Sequence, residues 1–195
     1  MIYAIVLAAG TSSRMQTPKQ LLTYQGRPLI RHTVETIVKS KAERVLVVVG
    51  AEAQEVCAAL EGLPVQIVVN ERYAQGQSTS VKKGLAALTD KEPHGVLFAL
   101  GDQPLLKSET IDTLINSFLE YNGIIVPYYQ QAPGNPVIFA QKYLPEFNSL
   151  SGDMGGRAVI KRFAKNVRRV DVADEGVVID IDTRQDYEKL LGRSK

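Results

Sequence analysis

The densest collection of reactive side chains lies close to the start of the chain, in LAAGTSSRMQTPKQLL, residues 7–22. Ala8, Ala9 and Gly10 are small enough for a ligand to approach the backbone closely, and Thr11, Ser12 and Ser13 offer hydroxyl donors. Arg14 and Lys19 then place two cations on one loop, a composition that suits a polyanion such as a triphosphate. The segment is neither a P-loop nor a GxGxxG dinucleotide fingerprint. A second concentration is Leu100-Gly101-Asp102-Gln103-Pro104, where Asp102 follows an apolar run. A lone carboxylate at a strand end can hold Mg²⁺ bound to phosphate oxygens, or simply cap a turn. A third, Gly76-Gln77-Ser78-Thr79-Ser80, opens a helical pattern, so its N–H groups and hydroxyls can meet a base or a phosphate. It lacks the second glycine of a nucleophile elbow, which removes a serine hydrolase. A fourth is Gly152-Asp153-Met154-Gly155-Gly156-Arg157, followed by Lys161 and Lys165 at spacings of four on one helix face.

These loops need a scaffold, and the hydrophobic pattern supplies one. Continuous apolar runs at 3–7, 44–49, 65–69 and 96–100 read as strands covered on both faces. Helical patterns at 28–38, 52–60, 78–88 and 108–120 separate or follow them, the last capped by Ser108. Such alternation predicts a three-layer α/β/α, Rossmann-like fold with a mostly parallel sheet. After residue 124 the alternation loosens. Strands are expected at 124–128 and 136–139, short helices near 141–147 and 157–164, and antiparallel additions at 168–172 and 177–181 in the C-terminal third. Asp182 or Thr183 should cap a last helix. With no repeat or linker, residues 1–195 read as a single domain. In an open parallel sheet ligands bind beyond the carboxyl ends of the strands, which is where the loops at 10–20 and 101–104 emerge.

In order and spacing these motifs resemble the nucleotidyltransferases with a Rossmann-like fold, and within them the molybdenum cofactor cytidylyltransferases most. LAAG-x-S-x-R-M-x(3)-K-x-L-L matches the family signature, GQSTSVKKGL its second nucleotide loop and LGDQP its metal motif. GNPVIF and SGDMGGR match its acceptor-side segments. The resemblance implies an enzyme that transfers CMP from CTP to a phosphate-bearing acceptor, molybdopterin, with release of pyrophosphate. By that resemblance Leu7, Ala8, Ala9, Gly10, Arg14, Lys19, Gly76, Ser78 and Ser80 bind nucleotide, and Lys19, Arg14 and Asp102 are catalytic. Asp102 and Asp182 hold Mg²⁺, with Asp180 as the alternative second ligand. Gly134, Asn135, Gly152, Asp153 and Arg157 face the acceptor. A molybdenum hydroxylase or its chaperone is the implied transient partner.

The sequence departs from the family pattern at Gln16, where glycine is common, and at Asn135, where many members have His before Pro-Val. Three readings therefore stand beside the first: a guanylyltransferase of the same cofactor, a sugar- or polyol-phosphate cytidylyltransferase, and a non-catalytic nucleotide-binding assembly factor. Guanylyltransferases tend to read LAGG, and the methyl of Ala9 would crowd a purine. Composition bounds the rest. Lys and Arg total 23 against 21 for Asp and Glu, a net charge of +2 that gives no reason to expect nucleic acid or an anionic membrane. Cys57 is the sole cysteine and His32 and His94 the only histidines, too few for a disulfide or an ordinary structural zinc site, so a reducing cytoplasm is expected. The apolar start ends at Gly10, too short for a membrane span and without secretory flanks.

Overall fold

The computed structural model describes residues 1–10, 15, 18–88 and 92–193. In chain order the elements are β1 (Ile2–Ala8), β2 (Thr23–Tyr24), β3 (Arg27–Pro28), α1 (Leu29–Val38), β4 (Arg44–Val49), α2 (Ala53–Ala59), β5 (Gln66–Val69) and α3 (Gln77–Ala86). β6 (Gly95–Leu100), α4 (Ser108–Tyr121), β7 (Ile124–Tyr129), β8 (Ala132–Pro133), β9 (Val137–Ala140), α5 (Gly156–Arg162), β10 (Val167–Asp171) and α6 (Arg184–Gly192) follow. The main sheet runs β10-β7-β9-β6-β1-β4-β5, with β8 paired to β7.

Apart from Tyr3 in β1 and the first residues Arg44 of β4 and Gly95 of β6, these three strands consist of Val, Ile, Leu, Phe and Ala because both of their faces are covered. Side-chain alternation shows by what. Ile5 and Val48 meet α3, whose Gly84 lies so close that an added Cβ would stand 2.8 Å from Ile5 Cγ2. Glycine in mid-helix lets the α3 backbone settle directly on the sheet. Ala8 points to the opposite face, where it and Gly101 pack against Ile30 of α1. Sheet between α1 and α3 gives the three layers expected from the sequence. Parallel pairing sets Leu7 level with Val48 of β4 and Leu100 of β6. The loops after β1 and β6 therefore leave the sheet side by side, at the point where the strand order reverses.

The C-terminal third departs from the parallel pattern, and not where the apolar runs suggested. β9 is the antiparallel strand, inserted between β6 and β7, and its Phe139 joins Phe98 and Phe147 in an aromatic cluster with centroids 5.0–5.9 Å apart. The run expected at 168–172 as an antiparallel addition forms β10, which pairs parallel with β7. Residues 177–181 are not a strand. A 3₁₀ turn at Glu175–Val177 feeds a segment that crosses the strand ends, with Ile181 N donating to Asp102 O at 3.1 Å. Val177 and Ile181 are apolar because each fills a buried site, not because they share a sheet face. Ser108 does not cap α4 either; its hydroxyl turns to Glu109. The start of that helix is anchored from afar by Asp174, which accepts from Lys107 N at 3.0 Å and Thr110 Oγ1 at 2.7 Å. Thr183 does cap α6, with Asp186 completing a reciprocal capping box. Among the described residues no helix is long and apolar enough to cross a membrane.

Candidate active site

The level strand ends create a cleft of about 310 Å³, bounded by the turn after β1, the start of α3 and the turn after β6. Of the residues named from the motifs, Leu7, Ala9, Gly10, Lys19, Gly76, Ser80 and Asp102 line it. Ala8 and Ser78 do not. Ala8 faces the α1 layer, and Ser78 is buried with its N–H donating to Gly152 O at 3.0 Å. Arg14 and Gln16 lie outside the described residues, with Thr11, Ser12 and Ser13. Gln20 and Gln77, inside the motifs, and Tyr73 and Ala74, outside them, also line the cleft. Gly50 is the reason Tyr73 reaches it: a Cβ there would stand 2.8 Å from the Cβ atoms of both Ala9 and Tyr73.

The charged centre joins three distant segments. Lys19 sits in a single 3₁₀ turn (Lys19–Leu21) behind Pro18, which fixes the backbone entering it. Its ammonium contacts Asp102 Oδ2 and lies 2.6 Å from Asp182 Oδ1. Asp102 is buried at the end of β6, whereas the Asp182 side chain is 45% exposed, so the pair opens toward solvent on the Asp182 side. Burial alone would lower the Lys19 pKa. The Asp102 charge, then the hydrogen bonds that the ammonium donates to both carboxylates, outweigh it and raise the value above the ordinary range. Burial pushes the Asp102 carboxyl up, with the Lys19 ammonium pulling against it. Asp180 accepts from Gln103 Nε2 at 2.8 Å. Its pKa is pushed up to about 6, first by burial and then by the charges of Asp102 and Asp182.

Asp102 Oδ1 is buried and has no hydrogen-bond partner among the described residues. A buried carboxylate oxygen left bare costs roughly 1–3 kcal/mol, a cost that a cation or a donor brought by a ligand would remove. No group of three or more acidic, His or Cys side chains is gathered to hold a metal among the described residues. Asp102 lines the cleft and Asp182 does not, but Asp182 meets the same Lys19 ammonium from outside it. Two carboxylates so placed suit a hard cation that keeps water and phosphate as its other ligands, the habit of Mg²⁺.

Ser80 is held from behind. Buried Asn70 donates through Nδ2 to Thr79 Oγ1 and Ser80 Oγ, both at 2.9 Å, and takes Arg72 N on Oδ1. Since Ser80 Oγ accepts from Asn70, its own proton is left for an acceptor in the cleft. Gly76 (φ +102°) lets the loop before α3 press onto the 152–153 backbone, where a Cβ would stand 2.3 Å from the Gly152 carbonyl carbon. Beyond that contact lies a second cavity of about 640 Å³, walled by Phe98, Val126, Val137 and Phe139. Gly134, Asn135, Asp153 and Arg157 line it, while Gly152 serves as the support for Ser78. Asp153 and Gln77 line both spaces. The expected basic row is broken: Arg157 and Lys161 are on α5, but the helix ends at Arg162 and Lys165 sits in a separate 3₁₀ turn.

Known proteins share this architecture. The chain is 33% identical to nicotine blue oxidoreductase of Paenarthrobacter nicotinovorans over 97% of its own length and 96% of the relative's. The crystal structure of the Rv0371c homologue from Mycobacterium sp. strain JC1 superposes with a TM-score of 0.87 at 31% identity, covering 98% of this chain and 96% of that one. Rv0371c of Mycobacterium tuberculosis H37Rv, crystallised in complex with manganese, gives 0.83 at 28% identity over 98% of each chain. Residues 4–169 match the family model of the MobA-like NTP transferase domain, and the chain belongs to that family of the nucleotidyltransferase superfamily.

Proposed function

We propose that the chain, acting as one domain, transfers CMP from CTP to the phosphate of an acceptor, with molybdopterin as first candidate, and releases pyrophosphate. The observation that carries this reading is the meeting of Asp102 and Asp182 on the Lys19 ammonium, at the edge of a cleft that Lys19 and Asp102 line and that adjoins a second cavity. Asp102, through its bare Oδ1, and Asp182 would hold Mg²⁺ or Mn²⁺. A divalent ion so bound neutralises charge on the phosphates of the substrate. Lys19, released from one carboxylate, would meet the charge that grows as pyrophosphate departs. A phosphate monoester is already anionic near neutral pH, so the attacking oxygen needs no protein base. Catalysis then rests on positioning, with the Asp153–Gln77 wall as the place where nucleotide and acceptor come together. Ala9 and Tyr73, drawn together across Gly50, narrow the cleft in favour of a pyrimidine.

The test is pyrophosphate release on mixing the protein with CTP, Mg²⁺ and molybdopterin, beside GTP and phosphorylated sugars and polyols as substitutes. Release with CTP and molybdopterin, and a single-turnover rate that falls about 10²-fold in Lys19→Ala with little loss of CTP affinity, are the expected results. Faster release with GTP would move the reading to a guanylyltransferase, and tight CTP binding without release to an assembly factor. A second reading follows from the full-length relative and from the apolar wall of the larger cavity: electron transfer to a flat dye such as nicotine blue. Reduction of nicotine blue by a reduced nicotinamide, with no pyrophosphate formed from any nucleotide, would favour it.

A further inference from the structure

One buried side chain next to Asp102 is not explained by substrate contact. Gln103 is fully buried, and its amide nitrogen donates to Val177 O at 3.2 Å and to Asp180 Oδ1 at 2.8 Å. Both partners can only accept, so the amide orientation is fixed and both donors are spent on the segment before α6. Gln103 Oε1 has no partner among the described residues, so the amide is retained for its nitrogen. That segment belongs to no strand and has no ladder to set its register. Its ties to the β6 end are the two from Gln103 and the bond from Ile181 N to Asp102 O. Val177 O also accepts from Asn135 N at 2.8 Å, on the rim of the larger cavity.

We infer that Gln103 is a positioning residue: its amide fixes the 177–182 segment so that Asp182 stands opposite Asp102, and through Val177 it seats the Asn135 loop on the same support. The inference rests on the reading of Asp102 and Asp182 as metal ligands. Partners behind a ligand typically tune metal affinity by roughly 10–100-fold when removed. Gln103→Met fills the same length without donors, and Gln103→Asn, one methylene shorter, draws the amide back from both acceptors.

The experiment is Mn²⁺ binding to the nucleotide-free protein, read from the electron paramagnetic resonance signal of the free ion at 10 °C. Wild type, Gln103→Met, Asp182→Asn and the double variant are compared, with Gln103→Asn taking the first position if Gln103→Met does not fold. A loss of about tenfold or more in Gln103→Met that disappears in the Asp182→Asn background supports the inference, because coupled residues are non-additive. Binding in Gln103→Met equal to wild type, while Asp182→Asn is weakened, overturns it and leaves the metal reading standing. An equal loss from Gln103→Met in both backgrounds also overturns it, since the amide would then act on general stability. Undiminished binding in Asp182→Asn, or none in wild type, overturns the metal reading and the inference with it.

Discussion

Asp174 and Asp102 are both buried carboxylates near the same end of the sheet, yet their surroundings are opposite. Asp174 is closed: Oδ2 takes Lys107 N and Thr110 Oγ1, and Oδ1 takes Gly176 N at 2.9 Å. All three donors are neutral, and together they tie the start of α4 to the turn that leads to Asp180 and Asp182. Asp102 is open: one oxygen meets Lys19 and the other meets nothing among the described residues. A fully satisfied carboxylate ties its neighbours together, whereas one short of partners leaves an oxygen that a cation or a ligand donor could take. The comparison separates stability from function on adjoining ground.

Breaking the open site should have the largest effect. Asp102→Asn should lower the rate of pyrophosphate release by roughly 10²–10³-fold, the scale of one electrostatic stabiliser, while its melting temperature stays level or rises. Near-normal turnover in that variant with Mg²⁺ would remove Asp102 from the chemistry. The closed site should answer in the reverse sense. Asp174→Asn turns an amide toward donors that expect an oxygen, which costs about 2–3 kcal/mol of stability. The urea midpoint should fall with the slope unchanged, and turnover at 10 °C should stay within a few-fold of wild type. A variant with normal stability and lost turnover would show that Asp174, too, belongs to the chemistry.

The sequence exposed these two carboxylates very unequally. Asp102 follows a run of buried apolar residues and sits in a motif, so its place at a strand end could be read from residues 95–102 alone. The parallel half was legible for the same reason, since strands buried on both faces write themselves as unbroken Val-Ile-Leu runs. Asp174 lies in ADEG, a surface-like stretch, and its two partners at the start of α4 are more than sixty residues away. The capping of α4 was therefore assigned to Ser108, the local candidate. Residues 177–181 misled for a related reason. Val177 and Ile181 are buried in separate places by a segment without regular structure, and alternation cannot distinguish that from a strand. Tyr73 is silent in the sequence because its contact with the cleft comes from Gly50, a position whose meaning is a close approach visible only in three dimensions.

Asp180 stands between the two extremes and offers the finest test of the comparison. It has one good donor, Gln103, but shares its surroundings with Asp102 and Asp182. Burial and those two charges hold its pKa near 6, against an ordinary value of 3.8 that the unfolded chain should retain. The unfolded chain therefore releases this proton first. Stability falls as pH rises from about 4 to about 6 and is flat above that, where the charged form is present in both states. Asp180→Asn keeps an oxygen for Gln103 and removes the charge. In metal-free protein, with chelator present, it should gain about 2 kcal/mol over wild type at pH 7–8, allowing for partial exposure. The gain should shrink through pH 6–4 and vanish below pH 4. Paired urea titrations across that range read it directly. A gain that does not vary with pH would mean that the change improves packing, and that Asp180 is as closed as Asp174.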